Sequence, residues 1–442
     1  FSPLNYIFIV TPQNEKIGLF SATSLIIGNI IGAGIFVLPA SLGKFGSISI
    51  LGWIFTASGS LILAKIFSNF SKMISGQNGG PYLYTKVVLG DFLGFLVAWG
   101  YWISCWVNNA AIAVAIVSAL SFFIPELNKN PILASITGLS FIWFFTLTSS
   151  SGVRSSAKIQ IFTTIAKLIP LLFIIIFGLF FFDSTIFPNF NITDKSNLEI
   201  LPVVSVITLY AFLGLESASI PAANIKKPEI NIPIATMTGT LISTFVYIFG
   251  TVVLFGILPN DILINSPAPF AEAGNLIGGK YAGYFISAGA AVSAIGALNG
   301  WILITSYMPM ALAKDKLFPK ILTKKNKKGF PVVSLVLGSI LTSIVMSMNF
   351  SEGLVSRFEF LILLTTLSTL IPYLFVSIAY LTYFLKKKFS VNILYKKQII
   401  GILGILYSCW AIFGSGKESI FYGTILLLIG IPVYITMKNK PL

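Results

Sequence analysis

The chain of 442 residues predicts an all-α membrane protein with twelve transmembrane helices. Two observations carry that prediction. Hydrophobic residues make up 56% of the chain and charged residues only 10%, and apolar runs of about 20 residues, the length a helix needs to cross a bilayer, recur from end to end. The 29 Lys and Arg residues are also distributed to one side. The predicted spans are 18–43, 46–70, 90–123, 131–149, 157–182, 199–223, 233–257, 281–312, 332–349, 358–385, 398–414 and 420–437.

An even number of spans puts both termini on one side. With the N-terminus inside, Lys44, Lys129, Lys195, Lys280, Arg357 and Lys417 fall outside and Lys167 falls within a span. All other cations are then cytoplasmic, and this positive-inside bias places both ends in the cytoplasm. Residues 6–10 form too short an apolar run, with no basic segment before it, to read as a secretory signal.

Composition excludes several classes. The formal net charge is +15, but the lysine clusters at 314–328, 386–388 and 396–397 flank spans. Positive-inside anchoring accounts for them, so membrane lipids are the expected contact and no nucleic acid is. Cys105 and Cys409 both fall in spans, which implies no disulfide framework. There is no histidine, which removes imidazole acid–base chemistry and most zinc sites. No cofactor and no metal are expected, and an enzyme is the least favoured class. Residues 274–281, GNLIGGKY, have the spacing of a phosphate-binding loop, but Tyr281 stands where a magnesium site needs Ser or Thr. They lie on the outer side and read as the turn that opens a helix.

No linker divides the chain into domains. The connections are short except for the outer loop 182–197 and the basic inner loop 314–329. Residues 76–90, GQNGGPYLYTKVVLG, predict a short amphipathic helix at the inner membrane surface, carrying Tyr82 and Tyr84 with residues 87–89.

Spans one and six carry the organisation. Span one holds GNIIGAG at residues 28–34, and span six holds YAFLGLESASIPAAN at 210–224. Glycine costs roughly 1 kcal/mol against alanine inside a helix. On its own, Gly28-x-x-x-Gly32 reads as a packing seam between helices. Two interrupted helices at corresponding positions of two halves point instead to a secondary transporter built from inverted repeats. Residues 18–182 and 199–385 would be the repeats, with 398–437 appended.

Breaking a membrane helix frees backbone groups, which are tolerated only when buried or lining a wet cavity. An amino acid supplies their complements. Its carboxylate suits the free N–H groups of a half-helix start, and its ammonium suits the carbonyls of a half-helix end. Gly32 and Gly34 permit close backbone approach, so GNIIGAG reads as a site for the α-amino and α-carboxyl groups. Two charges lie well within spans, each costing about 3 kcal/mol or more at the bilayer centre. Glu216 follows the glycine of span six; it can attract a cation, carry a proton or tie the broken helix to its neighbours. Lys167 lies about ten residues into span five, roughly 15 Å of helix, too deep to be a snorkelling anchor. Among the aromatics, Tyr101, Tyr210 and Trp301 are placed to hold a cation or close a pathway, a cation over an indole gaining about 0.5–2 kcal/mol. Asn109, two turns after Tyr101, adds a polar group.

With these segments in view, residues 18–438 resemble the amino acid–polyamine–organocation transporters. The chain is most similar to the antiporter branch that exchanges basic amino acids for their decarboxylated amines, arginine/agmatine antiporters among them. The segments that carry the resemblance are GNIIGAGIFVLPA, NGGPYLY, GYWISCWVNNAA, YAFLGLESAS with KKPEINIPIAT, and LNGWILITSYMPMALAKDKLFP. The resemblance implies a LeuT-like fold of 5+5 inverted repeats with helices 1 and 6 broken, in a bacterial inner membrane, and it allows a homodimer. It implies that Asn29, Ile30, Gly32, Ala33 and Gly34, with Leu213 and Gly214, meet the α groups of the substrate. Trp301 would stack on its cationic end, and Cys105, Asn109 and Thr365 would line that end. Tyr101, Glu216 and Tyr373 match an outer gating set, and Tyr210 a middle gate.

The chain also departs from that branch. Ala33 replaces a serine, removing one hydrogen bond worth roughly 1 kcal/mol. Tyr210 replaces a tryptophan, Thr365 a serine and Ile112 a methionine. Lys167 replaces a small apolar residue; in other branches a lysine there occupies the place of a sodium ion, which implies coupling without sodium. The expected function is exchange of a cationic amino acid (arginine, ornithine or lysine) for a related amine or amino acid. Proton-coupled symport of neutral amino acids is the alternative, and a channel, lacking a carbonyl filter or a charged ring, is the alternative of another class.

Overall fold

A computed structural model describes residues 16–32, 34–74, 79–149, 153–220, 222–326, 330–347, 353–386 and 391–438. The regular elements are helices: α1 (Leu19–Ile30), α2 (Gly34–Gly43), α3 (Ile48–Met73), α4 (Pro81–Leu89), α5 (Asp91–Ser121), α6 (Glu126–Lys129), α7 (Pro131–Ser149), α8 (Val153–Gly178), α9 (Asn197–Tyr210), α10 (Pro228–Phe255), α11 (Asn260–Asn265), α12 (Pro269–Lys314), α13 (Val332–Ser347), α14 (Leu354–Lys386), α15 (Val391–Gly414) and α16 (Lys417–Lys438). Among the described residues the sole β pairing is an isolated parallel bridge between Ile17 and Ile225.

Every predicted span contains a helix, the sixth only over its first half. Among the described residues, ten helical segments are long and apolar enough to cross a membrane, and two, α9 and α13, are shorter. α9 is short because it stops at the break in the sixth predicted span. Its start is fixed by a capping box, in which the Ser196 N–H donates to Glu199 Oε2 at 2.9 Å. α5 and the α1–α2 segment are each 94% buried over their apolar windows, against 17% for α16. The first two therefore form the centre of the molecule, and α16 lies at its edge.

Both breaks are present. α1 ends at Ile30 and the chain resumes helix at Gly34. After α9 it turns through residues 211–216, and only short 3-10 segments follow, Ser217–Ser219 and Ala222–Asn224. The second break is thus a helix followed by turns, rather than two matched half-helices. The glycines of GNLIGGKY are a turn, as expected: within α12, Gly278 is non-helical and Gly279 has φ +70°.

α4 corrects one expectation. The helix forms, but its first half is buried in protein instead of resting on lipid. Tyr84 stacks on Phe70 with centroids 4.8 Å apart. Lys86 Nζ lies 2.6 Å from Asp315 Oδ2 at the end of α12, and the Tyr82 hydroxyl donates to the same carboxylate. Amphipathicity alone does not distinguish a lipid surface from a protein groove.

Candidate functional site

The carbonyls at the end of α1 are met from three directions. Lys167 Nζ, on α8 and with no exposed surface, donates to Gly28 O at 2.9 Å and Ile31 O at 2.7 Å. The Tyr247 hydroxyl, on α10, lies 2.5 Å from Ile30 O and 2.9 Å from Ala211 O, so one phenol bridges the two breaks. Ser293 Oγ, on α12, donates to Gly32 O at 2.9 Å. A freed carbonyl in a membrane protein needs such a donor.

The sequence singled out Lys167 because a charge in a span is conspicuous. Tyr247 and Ser293 escaped notice because a tyrosine or serine in a span is ordinary; their meaning lies in partners 217 and 261 residues away. Tyr247 is held by its ring, which lies 5.0 Å from Trp53 and 5.4 Å, edge-on, from Phe212. Tyr247→Phe keeps those ring contacts and loses the bridge. We expect substrate KM to rise about fivefold, the value of roughly one hydrogen bond, with the melting temperature nearly unchanged. Uptake kinetics and a thermal melt of the purified variant check this.

Two glycines bring the breaks together. Gly214 has φ +103°, and a Cβ there would lie 3.1 Å from Asn29 Cβ and 3.3 Å from the Asn29 carbonyl carbon. A Cβ on Gly34 would lie 3.1 Å from Tyr210 Cε1.

Between the breaks lies a small cavity. The first break contributes Asn29, Ile30, Gly32 and Gly34, and the second Tyr210, Ala211 and Leu213; Asn108 and Ile112 come from α5 and Trp301 from α12. No lining side chain is charged. Tyr210 donates its hydroxyl to Asn108 Oδ1 at 2.9 Å, and its ring stands edge-on to Phe358, 5.7 Å away. The Asn29 carboxamide is 3% exposed, and among the described residues neither its oxygen nor its nitrogen has a hydrogen-bond partner. A buried amide in that condition costs free energy until something polar meets it.

Other predicted residues stand back from the cavity. Asn109 Nδ2 donates to Thr305 Oγ1 at 3.0 Å, and Thr305 donates to the Trp301 carbonyl at 2.8 Å, so Asn109 ties α5 to the turn of α12 that carries Trp301. Its neighbour Asn108 is the one that reaches the cavity. Neighbouring helix positions differ by about 100°, so Asn108 faces the cavity while Asn109 faces α12. Cys105 and Thr365 are buried but do not line the cavity, and Thr365 Oγ1 donates to Leu361 O at 2.7 Å. Ala33 lies outside the described residues.

Glu216 forms a second cluster. It is 1% exposed, and its oxygens accept from the Tyr101 hydroxyl at 2.6 Å and the Tyr373 hydroxyl at 2.5 Å. The carboxylate therefore ties the second break to α5 and α14. With the N-terminus inside, this set falls on the inner side, where the resemblance implies an outer one. Just beyond Glu216, Ile220 O accepts from the Gly79 N–H at 3.2 Å and Ile225 pairs with Ile17. The cluster is thus on the side of the cavity nearer the N-terminus, the inner side in an N-inside topology.

Buried helix breaks around a small polar-backed cavity, in a chain of many apolar helices, define a multi-pass membrane transporter. The chain belongs to the amino acid permease family, whose model matches residues 17–434, within the amino acid–polyamine–organocation group that its motifs resemble. It is 32% identical over 427 residues to the putrescine transporter PotE of Haemophilus influenzae, covering 96% of this chain and 98% of that protein. It is 30% identical over 427 residues to the cadaverine/lysine antiporter of Escherichia coli, covering 95% and 94%. To the putrescine transporter PotE of Escherichia coli it is 31% identical over 442 residues, covering 97% and 99%.

Proposed function

We propose that the chain exchanges a cationic amino acid (arginine, ornithine or lysine) for a related amine or amino acid by alternating access. The observation that carries this reading is the meeting of two helix breaks at one buried cavity. Break carbonyls suit an ammonium, and the N–H groups that open α2 suit a carboxylate. In this reading Asn29, Ile30, Gly32, Ala33 and Gly34 meet the α groups with Leu213 and Gly214. The side chain runs toward Trp301, with Asn109, Cys105 and Thr365 backing that end. The cationic class comes from the similar proteins, named for putrescine, cadaverine and lysine. Trp301 and Tyr210 would hold the cation by their ring faces, as the uncharged lining requires.

Tyr210 with Phe358 would close the cavity on one side, and Glu216 with Tyr101 and Tyr373 on the other. Lys167 would stand in for a coupling cation, so exchange needs no sodium, and Glu216 shares the coupling role. The reading includes twelve spans with both ends cytoplasmic in a bacterial inner membrane, and two repeats, 18–182 and 199–385, with 398–437 appended. It allows a homodimer and contact between the basic inner segments and anionic lipids.

Proton-coupled symport of neutral amino acids is favoured by one observation, the lack of any carboxylate among the cavity-lining residues. Proteoliposomes loaded with unlabelled arginine or lysine distinguish the two. Labelled arginine, lysine, ornithine and putrescine should enter only when substrate is present inside, with or without sodium. Leucine uptake driven by a pH gradient, with no arginine or lysine exchange, would overturn the reading in favour of symport.

A further inference from the structure

At the opposite end of the molecule from the Lys86–Asp315 pair, Lys44 Nζ lies 2.6 Å from Glu359 Oε1. Lys44 follows α2, the helix that resumes after the first break, and Glu359 is on α14. Next to Glu359 stands Phe358, whose ring packs against Tyr210 of the cavity wall. The ion pair therefore joins α2, which opens at the first break, to α14, whose Phe358 packs on the cavity wall, at what is the outer side in the proposed topology. Both partners are partly exposed, 39% for Lys44 and 25% for Glu359, and such pairs are weak. Asp315, by contrast, is held by both Lys86 and Tyr82.

Resting on the reading above, we propose that Glu359 is an outer docking site for the primary ammonium of the substrate, with Lys44 as its built-in competitor. The described cavity lining offers no carboxylate to draw a cation in; Glu359, next in the chain to the Phe358 that packs on the cavity wall, does. The group that occupies Glu359 is an alkylammonium, chemically the same as the free end of lysine, ornithine or a diamine. Exchanging one ammonium for another keeps the Glu359 carboxylate compensated, and the displaced Lys44, 39% exposed, turns to solvent and releases α2 from α14. Arrival of a substrate and opening of the mouth become one event.

The test compares uptake of labelled lysine and putrescine by whole cells, which present the outer face, with uptake by inside-out vesicles. In Lys44→Met the outer KM should fall about two- to fivefold, and in Glu359→Gln it should rise by a similar factor. The inner KM should stay unchanged in both. The double variant should match Glu359→Gln alone, because Lys44 acts only through that carboxylate. A purely structural ion pair gives shifts of the same sign in the two single variants, or shifts at both faces, and either result overturns the inference alone. A wild-type protein that exchanges no cationic substrate overturns the functional reading and this inference with it.

Discussion

Lys167→Met should reduce exchange at least about a hundredfold while the protein still inserts and folds. The substitution preserves most of the side-chain volume and removes the donor that meets Gly28 O and Ile31 O. Two buried carbonyls then lose their partner, at about 1–3 kcal/mol each. The cost falls on the break itself, because the rest of α1 keeps its helical hydrogen bonds, so the loss appears in transport before it appears in stability. Exchange in proteoliposomes and a thermal melt measure the two separately. Sodium should not rescue the variant, since the methionine side chain still fills the space beside the two carbonyls. Unchanged exchange and an unchanged pH profile would remove Lys167 from the mechanism.

Gly214→Ala should weaken substrate binding at least about tenfold and lower the melting temperature. Two costs combine. An L-residue held at positive φ is strained by about 1–3 kcal/mol, and the new Cβ meets Asn29, its backbone included. Backbone cannot swing aside as a side chain can, so Asn29 and the first break must move. Gly416 supplies the control: its φ is +79°, but a Cβ there meets nothing within 4 Å. Gly416→Ala should therefore show strain without loss of binding, in calorimetric titrations with lysine. Equal losses of binding in the two variants would show that the contact with Asn29 is unimportant.

The parts of the site that could be read in advance are those with a local signature. GNIIGAG and YAFLGLESAS announce breaks because glycine and polar groups are conspicuous among Ile, Leu and Phe. Lys167 and Glu216 announce themselves because a charge in a span is expensive. Tyr247 and Ser293 have no such signature, and neither does the choice of Asn108 over Asn109. The side on which Glu216 lies was also hidden, since it follows from how far α9 descends before it breaks and from what residues 217–225 then touch.

The sequence by itself determined the apolar helices and the two places where they fail, since both follow from neighbouring residues along the chain. Only the tertiary structure decided which donor meets which freed carbonyl, that α4 is buried in protein, and that Lys44 reaches Glu359. Most of those pairings join residues far apart in the chain, 136 positions for Lys167 and Ile31 and 315 for Lys44 and Glu359. At such separations packing, and not local propensity, selects the partner.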